Sequence, residues 1–245
     1  AKIESDMIDG RYREPHQSVR NLPLPHAIRQ TARNASDFAG PARLVYVGAV
    51  SALRGARDML ELAAALRHRR LAFQLRIAGP VQPPSLEAEL RDEIERRALA
   101  PQVQLLGVLS HQKAISLVQR ATIGLSLLHR APNYRFALPT KILEYMASAV
   151  PVVTSDLECS RRYVESAQAG IIVDLDHPQS VADAVAELIG DPQRQLAYAR
   201  NGQQAVRSGL NWGSEARLML SFYRRVLGEP VPIAPKYPHR TRYDR

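Results

Sequence analysis

LPTKILEYMASAVPVVTSD, residues 138–156, is the stretch that decides how this chain folds. Pro139 supplies a helix-compatible φ and no amide hydrogen, which suits the first position of a helix. Ile142, Leu143 and Met146 then recur at helical spacing, and the helix is expected to end near Ala149. Almost no loop follows before the apolar strand Val152-Val153. A short, half-buried helix running into a fully apolar strand is one turn of an α/β winding. It also raises a question, because Glu144 sits one turn into that helix with Lys141 just before it.

Outward from this stretch the same alternation continues. LVYVG (44–48) is a short apolar run ending in glycine, as a strand buried on both faces requires. RDMLELAAALRHRR follows at helical spacing, its basic end lying where a helix carboxyl terminus favours cations. FQLRIAG (73–79), VQLLG (103–107), IGLSLL (123–128), VPVVTS (150–155) and GIIVD (170–174) read as five further strands. SLEAELRDEIERRAL, HQKAISLVQRA and ECSRRYVESA are helices between strands. QSVADAVAELIG, PQRQLAYARNGQQAVR and NWGSEARLMLSFYRRVL complete the pattern. Strands alternating with helices, each strand almost entirely apolar, predict an α/β fold: a doubly wound, mainly parallel, six-stranded Rossmann-like sheet.

Composition narrows the class without naming it. The 245 residues are 45% hydrophobic, and the mean hydropathy of -0.24 fits an ordinary globular protein. No stretch approaches the roughly 18 consecutive apolar residues of a spanning helix, and AKIESDMIDGRYREP has no apolar signal-peptide core. The single Cys159 excludes an internal disulfide framework and a cysteine-cluster zinc site, so a reducing cytoplasm is expected. The net charge of +9 comes from 33 Lys+Arg against 24 Asp+Glu. These cations are scattered, mostly arginine on helices, without the basic block of a nucleic-acid binder. No nucleic-acid partner is expected.

In an open parallel sheet, ligands bind beyond the carboxyl ends of the strands, where loops and helix amino termini converge. The amides of Thr140, Lys141 and Ile142 would face that edge as an anion site. Thr140, Lys141 and Glu144 are spaced to share one helix face. Two readings of Glu144 follow. It is either a carboxylate favoured by the helix dipole, worth roughly 0.3–1 kcal/mol with Lys141 as its surface partner, or the acceptor of a ribose hydroxyl beside a diphosphate. A carboxylate on a ribose diol has precedent in dinucleotide sites.

Several segments together carry a family resemblance. LPTKILEYMASAVPVVTSD followed by GIIVD is similar to the donor-binding half of retaining glycosyltransferases of the group 1 family, which pair two Rossmann-like domains in the GT-B fold. YVGAVSALRGARDMLELAAAL resembles the family's first strand and basic-Gly turn. GVLSHQKAISLVQRATIGLSLL resembles its segment before the donor loop, and DPQRQLAYARNGQQAV with Asn211-Trp212 its closing helices. The likeness covers about residues 40–227.

The resemblance implies a nucleoside-diphosphate sugar as donor substrate, with neither cofactor nor metal. It places the ribose on Glu144 and the diphosphate on Arg54 and Gly55, beside Gly48, Thr140 and Lys141. Val108, Leu109 and Ser110 would frame the base. Three positions depart from the family pattern. The glutamate expected to bind the donor sugar is Phe136, and a second diphosphate arginine is Ala49, a charge that Lys141 or Arg130 would supply. The glycine after EYMA is Ala149, which weakens the expected left-handed cap.

The resemblance also sets the expected domain organisation. Residues 1–40 would be the end of an absent amino-terminal acceptor domain plus a linker, with SVRNLPLP (18–25) leading out of its last strand. Residues 41–227 would be the donor domain, and 228–245 a Pro-rich basic tail. The catalytic groups would then lie in the amino-terminal half, and this chain alone would transfer no sugar. The expected setting is bacterial polysaccharide or glycolipid assembly, in the cytoplasm or at the inner face of the plasma membrane with a membrane-surface acceptor. The alternative is a non-catalytic nucleotide-binding or scaffold domain of the same fold.

Other chemistry-bearing residues have plainer readings. Asp174-Leu-Asp176 looks like a metal pair but is better read as a strand terminator before His177-Pro178. His129 ends a strand facing the cleft and is a candidate ligand contact. Ser126 lacks a nucleophile-elbow sequence, Gly48–Gly55 is not followed by Gly-Lys-Ser/Thr, and Cys159 starts a helix as a small residue.

Overall fold

A computed structural model describes residues 17–134, 140–177 and 179–229. Six strands form one sheet: β1 (Ala42–Val47), β2 (Phe73–Ala78), β3 (Val103–Gly107), β4 (Ile123–Ser126), β5 (Val152–Ser155) and β6 (Gly170–Val173). The order is β3-β2-β1-β4-β5-β6, and every neighbouring pair is parallel. The chain thus winds outward from β1 in one direction, then returns to its other side. The doubly wound sheet expected from the apolar runs is the sheet observed.

Among the described residues, eight helices flank it: α1 (Ala56–His68), α2 (Pro84–Arg96), α3 (His111–Arg120), α4 (Thr140–Ala147), α5 (Glu158–Ala167), α6 (Ser180–Gly190), α7 (Pro192–Ser208) and α8 (Trp212–Val226). Two cores result. Met59, Leu62 and Leu66 of α1, with Leu90 of α2 and Val185 of α6, meet Leu44, Leu75 and Leu125 of the sheet. Ile142, Leu143 and Met146 of α4, with Val164 of α5 and Val206 of α7, meet Val45 and Val152. Strand residues divide between the two clusters by alternation, as period-two side chains on a covered sheet must.

Helix α4 is seated by small residues and one phenol. Gly124 of β4 leaves room for the Tyr145 ring, because a Cβ there would lie 2.5 Å from it. Gly202 of α7 lets that helix approach Met146 in the same way. The Tyr145 hydroxyl donates to the Leu125 carbonyl at 3.1 Å and accepts the Val47 amide at 3.2 Å. Those two groups belong to β4 and β1 just where the strands part, so one side chain spans the fork.

The end of α4 corrects one expectation. Ala149 takes the left-handed conformation at φ +56° without being glycine. Its amide donates to Met146 and the Val150 amide to Tyr145, each at 3.0 Å, so the helix cap is complete. The strain is offset by burial of its methyl group with Phe38 and Leu196.

Residues 17–39 pack onto this assembly. SVRNLPLP, expected to leave a strand, pairs with none and instead crosses α8. The Pro23 carbonyl accepts the Trp212 amide at 2.8 Å. Glu215, buried in the first turn of α8, takes the Arg20 backbone amide at 2.8 Å and its guanidinium at 2.7 and 3.0 Å. Further on, Arg29 and Arg33 donate to the Gln119 carbonyl at the carboxyl end of α3, at 2.8 and 2.6 Å. The expected tail beyond residue 229, like Phe136 and Pro139, lies outside the described residues. No helix among the described residues is long and apolar enough to cross a membrane.

Candidate functional site

The fork between β1 and β4 opens at the carboxyl edge of the sheet, and three backbone features shape it. Gly48 ends β1 at φ +136°, and Gly79 ends β2 so close that a Cβ there would overlap the Gly48 carbonyl. Gly55 stands before α1 at φ +78°, where a Cβ would lie 2.4 Å from the Leu127 carbonyl. Glycine is required at Gly55 on both counts. The β1–α1 turn is pinned to the end of β4 by the His129 amide, which donates to Leu53 at 2.9 Å. The His129 ring then meets Asp58 of α1 at 2.7 Å. His129, a candidate ligand contact in the sequence, is thereby engaged in holding the turn.

Two cations converge above this turn. The Lys141 ammonium lies 3.7 Å from the centre of the Tyr46 ring, and beside Gly48, where an added Cβ would sit 3.3 Å away. Arg54 lies near the same phenol and favours its charged form. Burial pushes the Lys141 ammonium down to about 7, Arg54 pushes the same way, and Glu144 opposes both. The site therefore holds two like charges whose mutual cost an anion would relieve. Tyr46 itself is fully buried. Burial pushes its hydroxyl up to about 12 against the pull of Arg54.

Glu144 faces another way. With Thr140, Leu109 and His111 it lines a cleft of about 520 Å³ between α3, α4 and the Asn21–Leu24 segment. Burial raises its carboxyl above the usual range, while His111 and Lys141 pull it down. More than a third of the residue remains open to water at the cleft mouth, so that upward push is modest. Thr140, Lys141 and Glu144 do not share one direction as their spacing suggested. The Lys141 stem runs back over the sheet edge, as helical side chains lean toward the amino terminus, while Thr140 and Glu144 face the cleft.

The remaining expected residues separate into those near the cleft and those away from it. Leu109 lines it. Ser110 caps α3 through the Lys113 amide at 3.4 Å, and Val108 stands in solvent at 75% exposure. Arg130 turns to Asp176 at 3.5 Å, where it flanks Asp156 and Asp174 at the β5–β6 corner. Of the two candidates to replace the charge absent at Ala49, Lys141 lies beside Gly48. Asp174 accepts the Asp176 amide at 3.0 Å and contacts His177 at 2.9 Å, the self-bonded turn of a strand end. Tyr46 was missed, and His111, a surface residue by its sequence, is exposed at the rim of the cleft. Tyr46 read as one more apolar strand residue, although a buried phenol needs a partner for its hydroxyl.

A parallel α/β domain with paired cations at its topological switch point is of the kind that binds phosphorylated ligands. Comparison with known proteins makes this specific: the family described as glycosyl transferases group 1 matches residues 41–191, and the chain belongs to that family. Alpha-D-kanosaminyltransferase of Streptomyces kanamyceticus is 28% identical over 185 residues, covering 75% of this chain and 45% of that protein. The chain spans about half the length of the curated relatives it matches.

Solved structures show the same fold. The C-terminal domain of a group 1 family glycosyl transferase from Francisella tularensis superposes with a TM-score of 0.65 at 17% identity, covering 77% of this chain and 98% of that one. Anabaena HepE, solved in complex with UDP, gives 0.71 at 16% identity, covering 92% of this chain and 61% of that one.

Proposed function

We propose that residues 41–227 form the donor-binding domain of a retaining, metal-independent glycosyltransferase, and that the donor is a nucleoside-diphosphate sugar. The observation that carries this reading is the pairing of Lys141 with Arg54 beside Gly48, one helical turn from Glu144 at the mouth of a cleft. The two cations and the α4 amides would take the diphosphate, Glu144 the ribose diol, and Leu109 would flank the base. UDP bound to HepE, a protein of the same fold, supports the ligand class.

In sugar transfer the glycosidic bond breaks and negative charge grows on the leaving diphosphate. Arg54, Lys141 and the first amides of α4 are fixed donors for that charge and need no reorganisation as it develops. The acceptor would be bound by an amino-terminal domain absent from residues 17–229. Polysaccharide or glycolipid assembly, in the cytoplasm or at the inner face of the plasma membrane, is the proposed setting.

Calorimetric titration with UDP, GDP and ADP tests the reading. One of the three is expected to bind, and Glu144→Ala to weaken it about tenfold, as expected for a lost charge-assisted hydrogen bond. Failure of all three to bind favours the scaffold alternative. Transfer of sugar by this chain alone would overturn the assignment of the catalytic groups to an amino-terminal domain.

A further inference from the structure

Tyr46 occupies a place that neither a core residue nor a ligand contact explains. It is fully buried at the end of β1, yet its polar and its aromatic contact both lead to the site. Its hydroxyl donates to the Ala49 carbonyl at 2.7 Å, shaping the turn after Gly48. Arg54, carried on that turn, favours the charged form of the same hydroxyl. The face of its ring carries the Lys141 ammonium at 3.7 Å, a cation–π contact. One phenol therefore sets the turn and both cations.

We propose that Tyr46 is the positioning residue of the site: its hydroxyl holds the turn that carries Arg54 and its ring holds Lys141, so that the pair is kept together to receive one diphosphate. This rests on the nucleotide-binding reading above and goes beyond it, because it makes the binding proton-linked. The groups facing Lys141 are Tyr46 from β1, Arg54 from the β1–α1 turn and Glu144 from α4. Tyr134, in the loop before α4, acts on Tyr46, and His111 of α3 acts on Glu144. Held beside Arg54 and desolvated, Lys141 is about half neutral at pH 7. A diphosphate favours its charged form, so binding takes up a proton and weakens as pH rises.

The test uses UDP, GDP and ADP above pH 7.5, where phosphate groups are already ionised. For the nucleotide that binds best, affinity should fall about eightfold between pH 7.5 and 8.5 in the original chain, from a titration centred near 7. Lys141→Arg should remove that dependence, since a guanidinium does not titrate there. Tyr46→Phe keeps the ring and releases the turn that carries Arg54. Relieved of its neighbour, Lys141 should titrate higher, and the ratio should shrink to about threefold.

Arg54→Gln should give the same smaller ratio, and combining it with Tyr46→Phe should add nothing further. A purely structural Tyr46 would change the melting temperature and leave the ratio at its original value. That result, or additive effects of the two substitutions, overturns the proposal. So does pH-independent binding by the original chain, which leaves the donor-site reading standing if Glu144→Ala still weakens affinity. Failure of every nucleotide to bind removes both.

Discussion

The middle and one end of the same sheet edge handle charge in opposite ways. At the β5–β6 corner, Arg161 grips Asp156 with two contacts of 2.8 Å and Glu165 at 2.5 Å. Arg161 holds the Asp156 carboxyl below the usual carboxylate range, and Asp174 closes on its own turn. At the β1–β4 fork, Arg54 and Lys141 are brought together over one phenol, and repulsion from Arg54 outweighs the pull of Glu144 on Lys141. The first corner is satisfied by itself and open to water. The second leaves two crowded cations facing each other, the arrangement the proposed diphosphate would relieve. Charge alone does not mark a site on this protein; charge left unneutralised in a crowded place does.

Substitutions can break that contrast. Gly55→Ala should do the most damage, about 3 kcal/mol or more, because the left-handed backbone and the contact with Leu127 both oppose a methyl group. Urea denaturation measures it, and a loss below about 1 kcal/mol would show that the turn can relax.

Lys141→Met should act in two directions. Nucleotide binding should drop at least tenfold, while the ligand-free protein gains on the order of 2 kcal/mol at pH 7, because a crowded cation is replaced by an apolar chain. The sign of the pH effect follows. The Lys141 pKa is depressed in the folded state to about 7 from 10.5, so between those values the unfolded chain binds more protons. That lysine should therefore make the ligand-free protein more stable as pH rises from 7 to 10, a trend that melting curves would record and that Lys141→Met should reduce. An unchanged trend in the variant would assign it to other groups.

At the other corner, Arg130→Ala should change stability by less than about 0.5 kcal/mol and nucleotide affinity by less than about twofold, since its contact to Asp176 is long and exposed. A tenfold loss of affinity would move the diphosphate toward β5 and β6.

Much of this architecture was legible in the sequence because burial writes itself into composition. LVYVG and VPVVTS are apolar on both faces since helices cover both, and the helices between them alternate with a clear period. The switch point followed from the winding, and with it the neighbourhood of Arg54, Lys141 and Glu144. What stayed hidden depends on direction. Residues three apart share a helix face by spacing, but Lys141 is long enough to turn back across the sheet while Glu144 is not. Arg130 follows a loop whose course no periodicity encodes. Tyr46 was concealed by its apolar neighbours, and only its hydroxyl, at the last turn of a buried strand, gave a hint. Ala149 shows the reverse: an absent glycine suggested a weakened cap, and the buried methyl made good the loss.

The Tyr145 hydroxyl has a consequence for how tightly the fork is gauged. Where β1 and β4 diverge they can no longer bond to each other, and the phenol takes the place of the missing rung. The width of the opening is thereby matched to the length of one side chain, like a spacer set between two rails. That side chain belongs to the helix carrying Lys141 and Glu144. Sliding or rolling α4 would break a sheet contact, so the aperture and the groups that line it are set by the same part.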